Sequence, residues 1–224
     1  MKKILTLLVA VLATATVAHA QFGVIGGWTT SNTSINTKDL KENFKGLDNF
    51  HAGIAYHAKL PLGFAIQPEL TYEMKGAKFS SDSDQHFVAG LLSTKSHGVE
   101  LGVGVQWGVD LLVARPFLVA EPYIGYVFKS NEQYSVGSST LQIDPLEISN
   151  FLNDAKNKLE YGISLGAGVD IVRHIQISVK WFKNLGPLYN EGKFNANSIY
   201  ANAAAALKDT KNYQGIKVTL GIFF

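Results

Sequence analysis

From Phe64 to Lys75 the chain alternates two kinds of residue. Phe64, Ile66, Pro68, Leu70, Tyr72 and Met74 fall on one side, and Ala65, Gln67, Glu69, Thr71, Glu73 and Lys75 on the other. A period of two puts successive side chains on opposite faces of a β-strand. The same split, large apolar groups against small or charged ones, returns about eight times along the chain. Repetition of that kind limits the fold to a sheet whose two faces meet different surroundings throughout.

Taken in order, the alternating segments are Phe22–Thr30, Asn49–Lys59, the segment from Phe64, Val99–Asp110, Phe117–Lys129, Glu160–Ile171, Ile175–Trp181 and Tyr213–Phe224. The connections between them alternate in length. Ser31–Asp48, Ala77–Ser96, Ser130–Lys158 and Gly186–Asn212 are long and polar, whereas Leu60–Gly63, Leu111–Pro116 and Val172–Ile175 are short. Helical spacing or composition predicts short helices over Lys38–Lys45, Pro145–Lys156 and Ser198–Lys208. Strands of this length joined by alternately tight and long connections match an eight-stranded antiparallel up-and-down transmembrane β-barrel, with short periplasmic turns and long extracellular loops.

Aromatic residues mark both ends of the apolar faces. Trp107 and Phe224 fall at the short-turn ends, with Phe22 and Phe64. Trp28, Tyr72, Phe128, Tyr161 and Trp181 fall at the long-connection ends, with Phe50. Two such rows are the interfacial girdles expected of an outer-membrane barrel. A soluble barrel of the lipocalin kind also closes eight strands, but it turns its apolar face inward. The long connections gathered on one side, the two aromatic rows and the terminal phenylalanine favour the membrane version.

Residues 1–20 carry Lys2 and Lys3, an apolar run and Ala18-His19-Ala20, the pattern of a secretory signal peptide. The remaining 21–224 form one barrel domain in this reading. The chain has no cysteine, so no disulfide framework supports it. With 20 basic and 18 acidic residues the formal charge is +2, which excludes nucleic acid as an expected partner.

With the apolar faces in lipid, the other faces line a lumen only wide enough for side chains to fill. Glu69, Glu121, Lys180 and Lys217 sit at similar heights there and are expected to form a neutralised charge cluster, since paired charges are tolerable where a lone one is costly. Awkwardly for a closed ladder, Pro68 and Pro122 fall within strands, and local bulges are expected at both. His51 and His57 lie too far apart on one strand to share a metal ion and read as satisfied lumen or rim residues. Neither Gly102-Val-Gly104 nor Gly166-Ala-Gly168 completes a nucleotide fingerprint. No nucleophile, base and orienting acid fall at usable positions, so neither an enzyme nor a cofactor or metal is expected.

At Gln67-Pro-Glu-Leu-Thr-Tyr-Glu-Met-Lys-Gly-Ala-Lys78, Tyr161-Gly-Ile-Ser-Leu-Gly-Ala-Gly-Val169 and Leu220-Gly-Ile-Phe-Phe224, the chain resembles the porin-family, PorT-like outer-membrane barrel proteins of Bacteroidetes. It departs from that pattern at Trp181–Leu188. The resemblance implies an eight-stranded barrel in the outer membrane and admits a role as an accessory to protein secretion. Combined with the residue reading, it predicts a structural, adhesive or surface-interaction protein with a filled lumen; small-solute permeation is the alternative. The expected partners are outer-membrane lipid or lipopolysaccharide, the barrel-assembly machinery, and surface or secretion partners reached through the long loops.

Overall fold

A computed structural model describes residues 20–32, 43–80, 90–136, 158–172, 174–186 and 213–224. It forms a closed barrel of eight strands: β1 (Ala20–Asn32), β2 (Asn43–Lys59), β3 (Phe64–Ser80), β4 (Gly90–Gly108), β5 (Ala114–Val136), β6 (Leu159–Ile171), β7 (Ile175–Asn184) and β8 (Gln214–Phe223). Each strand pairs antiparallel with its neighbours in sequence, and β1 closes on β8 through Gly23↔Phe223 to Asn32↔Gln214. Closure leaves no free sheet edge around the waist, which is why eight marginal ladders hold as one.

The alternation read from the sequence is the alternation of burial. Along β7 every second residue is buried: Gln176, Ser178, Lys180, Phe182 and Asn184 point inward, and Ile175, Ile177, Val179 and Trp181 stand exposed. The inversion holds around the barrel, with polar groups buried and large apolar groups outside. In water such a surface would be an aggregation site. An apolar belt of this height belongs in hydrocarbon.

Glycines on the inner face let strands and side chains approach closely. A Cβ on Gly27 would run into the Val218 carbonyl and come 2.9 Å from the His51 ring. Gly27→Ala is therefore expected to destabilise the barrel by about 1–3 kcal/mol through overpacking. Denaturant unfolding of the refolded protein measures it. An unchanged midpoint would mean the β1–β8 contact has slack to yield.

Several boundaries differ from the sequence reading. β2 starts at Asn43, so residues 43–45 of the helix expected over Lys38–Lys45 are strand; 38–42 lie outside the described residues, as do the helices expected at 145–156 and 198–208. β3 runs on to Ser80, β4 begins at Gly90 and β5 extends to Val136, all within stretches expected to be loop. Neither Gly90-Leu-Leu-Ser-Thr-Lys-Ser-His97 nor Lys129–Val136 has an apolar face. Their strand character comes from ladder pairing, Leu92↔Phe79 and Leu92↔Tyr134 among others, which alternation does not report.

The bulges expected at Pro68 and Pro122 are not there. Register shifts occur instead between Gly46 and His51 in β2–β3 and at His97/Gly98 in β4–β5. At Pro68 the β2 ladder passes from Ala55↔Glu69 to Ala58↔Ile66 without changing register, and Pro68 keeps Val103 of β4 as its partner. Pro122 behaves alike, skipped by β4 and paired with Ile163 of β6. A strand residue directs its N–H to one neighbour only, so a proline interrupts one ladder and spares the other.

Candidate functional site

Among the described residues, the inward faces of β3–β8 carry ten buried charged residues: Glu69, Glu73, Lys75, Glu100, Arg115, Glu121, Glu160, Asp170, Lys180 and Lys217. They are distributed in three levels between the short-turn end and the long-connection end.

At the short-turn end, Arg115 donates to Asp170 at 2.9 Å, to Gln106 at 3.1 Å and to the Gly63 carbonyl at 2.9 Å. Gln176 donates to Asp170 at 2.8 Å, and Gln106 donates to Gln67 at 3.0 Å. His57 Nδ1 lies 2.7 Å from Gln67, and its Nε2 stands 4.0 Å from Asp170. Phe223 packs edge-on to His57 with ring centroids 5.7 Å apart, and Ile25 and Ala55 complete a small apolar cluster beside it. These amides and the guanidinium bridge the barrel from wall to wall, with the planar donors of Arg115 serving three acceptors.

In the middle level Lys180 Nζ donates to Glu69 Oε2 at 2.9 Å and Glu121 Oε2 at 2.6 Å. Gln67 donates to the other oxygen of Glu69 at 2.9 Å. Above it, Lys217 donates to Glu73 at 2.8 Å and Glu100 at 2.6 Å, while Lys75 donates to Glu100 at 2.8 Å and Glu160 at 3.0 Å. Both ammoniums also lie over the Tyr123 and Phe182 rings, Lys75 at 4.9 and 5.3 Å and Lys217 at 5.4 and 5.3 Å from the centroids. The negative ring faces add a second acceptor surface for each cation. His51 sits between the Thr29 and Thr219 hydroxyls at 2.8 and 2.9 Å, and the Tyr123 hydroxyl donates to Asn184.

The structure thus brings Glu69, Glu121 and Lys180 into one cluster. Lys217 is the backbone partner of Lys180, yet its ammonium pairs with Glu73 and Glu100, which lie outside the cluster expected from the sequence. Lys75, Glu160, Arg115 and Asp170 were likewise missed as network members. All but Arg115 lie on the alternating small-or-charged faces, so their inward direction was legible. Their partners were not, because strand tilt and stagger set which heights coincide across the lumen.

Among the aromatic residues, Trp28, Trp107, Phe128, Tyr161, Trp181 and Phe224 stand exposed on the outer face, and Tyr72 is half-buried there. Tyr72 is ringed by Phe50 at 5.9 Å, Phe128 at 6.1 Å and His97 at 6.1 Å, and its hydroxyl lies 2.6 Å from His97 Nδ1. These contacts make a continuous aromatic row across β2–β5 at the long-connection end.

A family model described as "Outer membrane protein beta-barrel domain" matches residues 15–190. Similar solved structures include Neisserial surface protein A, with 11% identity over 91% of this chain and 97% of that one at a TM-score of 0.44. Ail, the attachment invasion locus protein of Yersinia pestis in complex with the heparin analogue sucrose octasulfate, shows 10% identity over 92% and 99% at 0.43. OprG, an outer membrane protein of Pseudomonas aeruginosa, shows 8% identity over 92% and 96% at 0.45. No curated protein matches the chain.

Proposed function

The chain belongs to the outer membrane protein beta-barrel domain family, and from that premise we propose that it is a non-enzymatic surface-interaction module whose lumen is filled and whose working surface is the long-connection end. Its apolar belt meets outer-membrane lipid. Residues 1–20 direct export in this reading, the barrel-assembly machinery inserts the chain, and the aromatic rows, Trp28 and Trp181 on one side and Trp107 and Phe224 on the other, lie at the two interfaces.

The observation that carries the proposal is the wall formed by β3, β4 and β5. The strands continue past the outward row Tyr72↔Val99↔Tyr126 to Ser80, Gly90 and Val136. From Tyr126 to Val136, β5 alone adds roughly 30 Å of strand at ~3.3 Å per residue. That length exceeds what crossing the belt requires. β5 pairs with β6 from Ala114 to Tyr126, and the Val127 N–H donates to the Lys158 carbonyl just before β6. A sheet raised clear of the membrane is a suitable platform for a protein or glycan partner.

Reconstitution tests the filled lumen, and cell attachment tests the platform. Planar-bilayer recordings are expected to show no steady nanosiemens-scale conductance, because three levels of ion pairs cross the lumen. A non-adherent Gram-negative strain expressing the chain is expected to gain attachment to surfaces or to its own cells, and to lose it when residues 81–89 and 137–157 are replaced by short linkers. Steady conductance with no gain of attachment would instead favour solute permeation. The PorT-like resemblance at Gln67–Lys78 adds a secretion-accessory reading, which a loss of exported substrates on deletion would single out.

A further inference from the structure

The uppermost ion pairs of the lumen form an open chain. Glu73 Oε1, Lys217 Nζ, Glu100 Oε1 and Oε2, Lys75 Nζ and Glu160 Oε2 are joined in that order by contacts of 2.8, 2.6, 2.8 and 3.0 Å. Three carboxylates alternate with two ammoniums, a formal charge of −1. Glu100 uses both its oxygens. The two ends each leave one over: Glu73 Oε2 and Glu160 Oε1 are buried and have no hydrogen-bond partner among the described residues. Both glutamates are more than nine-tenths buried, at 4% and 7% exposure.

Both ends line the same cavity, of about 10 Å³, with Lys75, Ser96, Glu100 and Gly125. That is about the space one water molecule occupies. A buried anionic oxygen without a donor is among the costliest groups a protein can hold. Two of them, on residues that line one small cavity and belong to a cluster carrying one surplus negative charge, ask for a single positive charge there. A divalent metal does not fit: both oxygens of Glu100 are taken by Lys75 and Lys217, no group of three acidic, histidine or cysteine side chains among the described residues is arranged to hold one, and the Lys75 ammonium lies alongside.

We propose that this cavity binds one monovalent cation of about the size of a water molecule, held between Glu73 Oε2 and Glu160 Oε1. The cation closes the open chain into a ring and neutralises it. An alkali ion and a hydrated proton share this chemistry. The titratable groups lining the cavity are Glu73 and Lys75 from β3, Glu100 from β4, Tyr126 from β5 and Glu160 from β6; Lys217 of β8 contacts Glu73, Tyr123 of β5 lies under the Lys75 ammonium, and His51 of β2 is bonded to Thr219 beyond them. The inference goes beyond the proposed surface role and does not depend on it.

The test is the heat-unfolding midpoint of the purified full-length barrel, read from its gel shift. Sodium or potassium chloride is exchanged for choline chloride at constant ionic strength, from mildly acidic to mildly alkaline pH. Choline is too large for the cavity. The expected result is a saturable rise of roughly 3 °C or more with sodium or potassium over choline. Glu160→Gln removes the surplus charge and is expected to abolish the rise while keeping the gel shift. Should that variant fail to fold, Glu73→Gln removes the surplus at the other end. A midpoint indifferent to alkali ions, but rising in choline as pH falls in the native protein relative to the variant, assigns the site to a proton. Indifference to both, or an alkali dependence that persists in the variant, overturns the proposal.

Discussion

Replacing Lys180 with methionine is expected to destabilise the barrel by about 3–5 kcal/mol, the cost of stripping a buried charge of its partner. Lys180 is the only described cation that touches Glu69 and Glu121, at 2.9 and 2.6 Å. Without it two carboxylates face each other across a closed lumen, at 8% and 2% exposure, with Gln67 as the remaining donor to Glu69. Urea unfolding of the protein refolded into lipid vesicles measures the loss. The triple variant Lys180→Met, Glu69→Gln, Glu121→Gln carries no charge in this level and is expected to recover most of it. A single variant within about 1 kcal/mol of the native protein would show that water screens the pair as it does at a surface, and the lumen could not then be called filled.

On the opposite face, Val103→Arg is expected to cost about 2–4 kcal/mol, the penalty of a guanidinium at the middle of a bilayer. Val103 stands outward between Trp107, near the short-turn end of β4, and the Tyr72↔Val99↔Tyr126 row nearer the other end. It is flanked by Pro68 on β3, so no long neighbouring side chain is ready to pair with the new charge. The matching control is Leu112→Arg at the tip of the β4–β5 turn, where the leucine is fully exposed; there the cost is expected to fall to about 0–1 kcal/mol. Both are read from the same vesicle-refolded unfolding curves. Equal costs at the two positions would contradict the depth assigned to the belt.

How far the chain can be read residue by residue depends on what each feature rests on. Trp107, Trp181 and Val103 announce their facing through their immediate neighbours, because a one-residue slip would carry every side chain of the strand to the wrong medium. Glu69, Glu121, Lys180 and Lys217 were legible as inward charges for the same reason. Distance along the chain from the short turns puts Lys217 level with Glu69 and Glu121, but that measure of height ignores the stagger between strands. Lys217 reaches Glu73 and Glu100 instead. The raised wall of β3–β5 was invisible for a different reason. Beyond the belt both faces of a strand meet water, selection for alternation lapses, and only the backbone pairing partner keeps the segment extended.

The sequence by itself determined the eight spans, their alternating connections and the sorting of apolar from polar groups to opposite faces, since a period of two is a local property that each strand must satisfy alone. The pairing of the ten described lumen charges, the accommodation of Pro68 and Pro122 without bulges, and the open end shared by Glu73 and Glu160 were decided only by the tertiary structure. These depend on the stagger of a closed sheet, which brings Lys180 of β7 against Glu69 of β3 across the barrel, and no single strand encodes that distance.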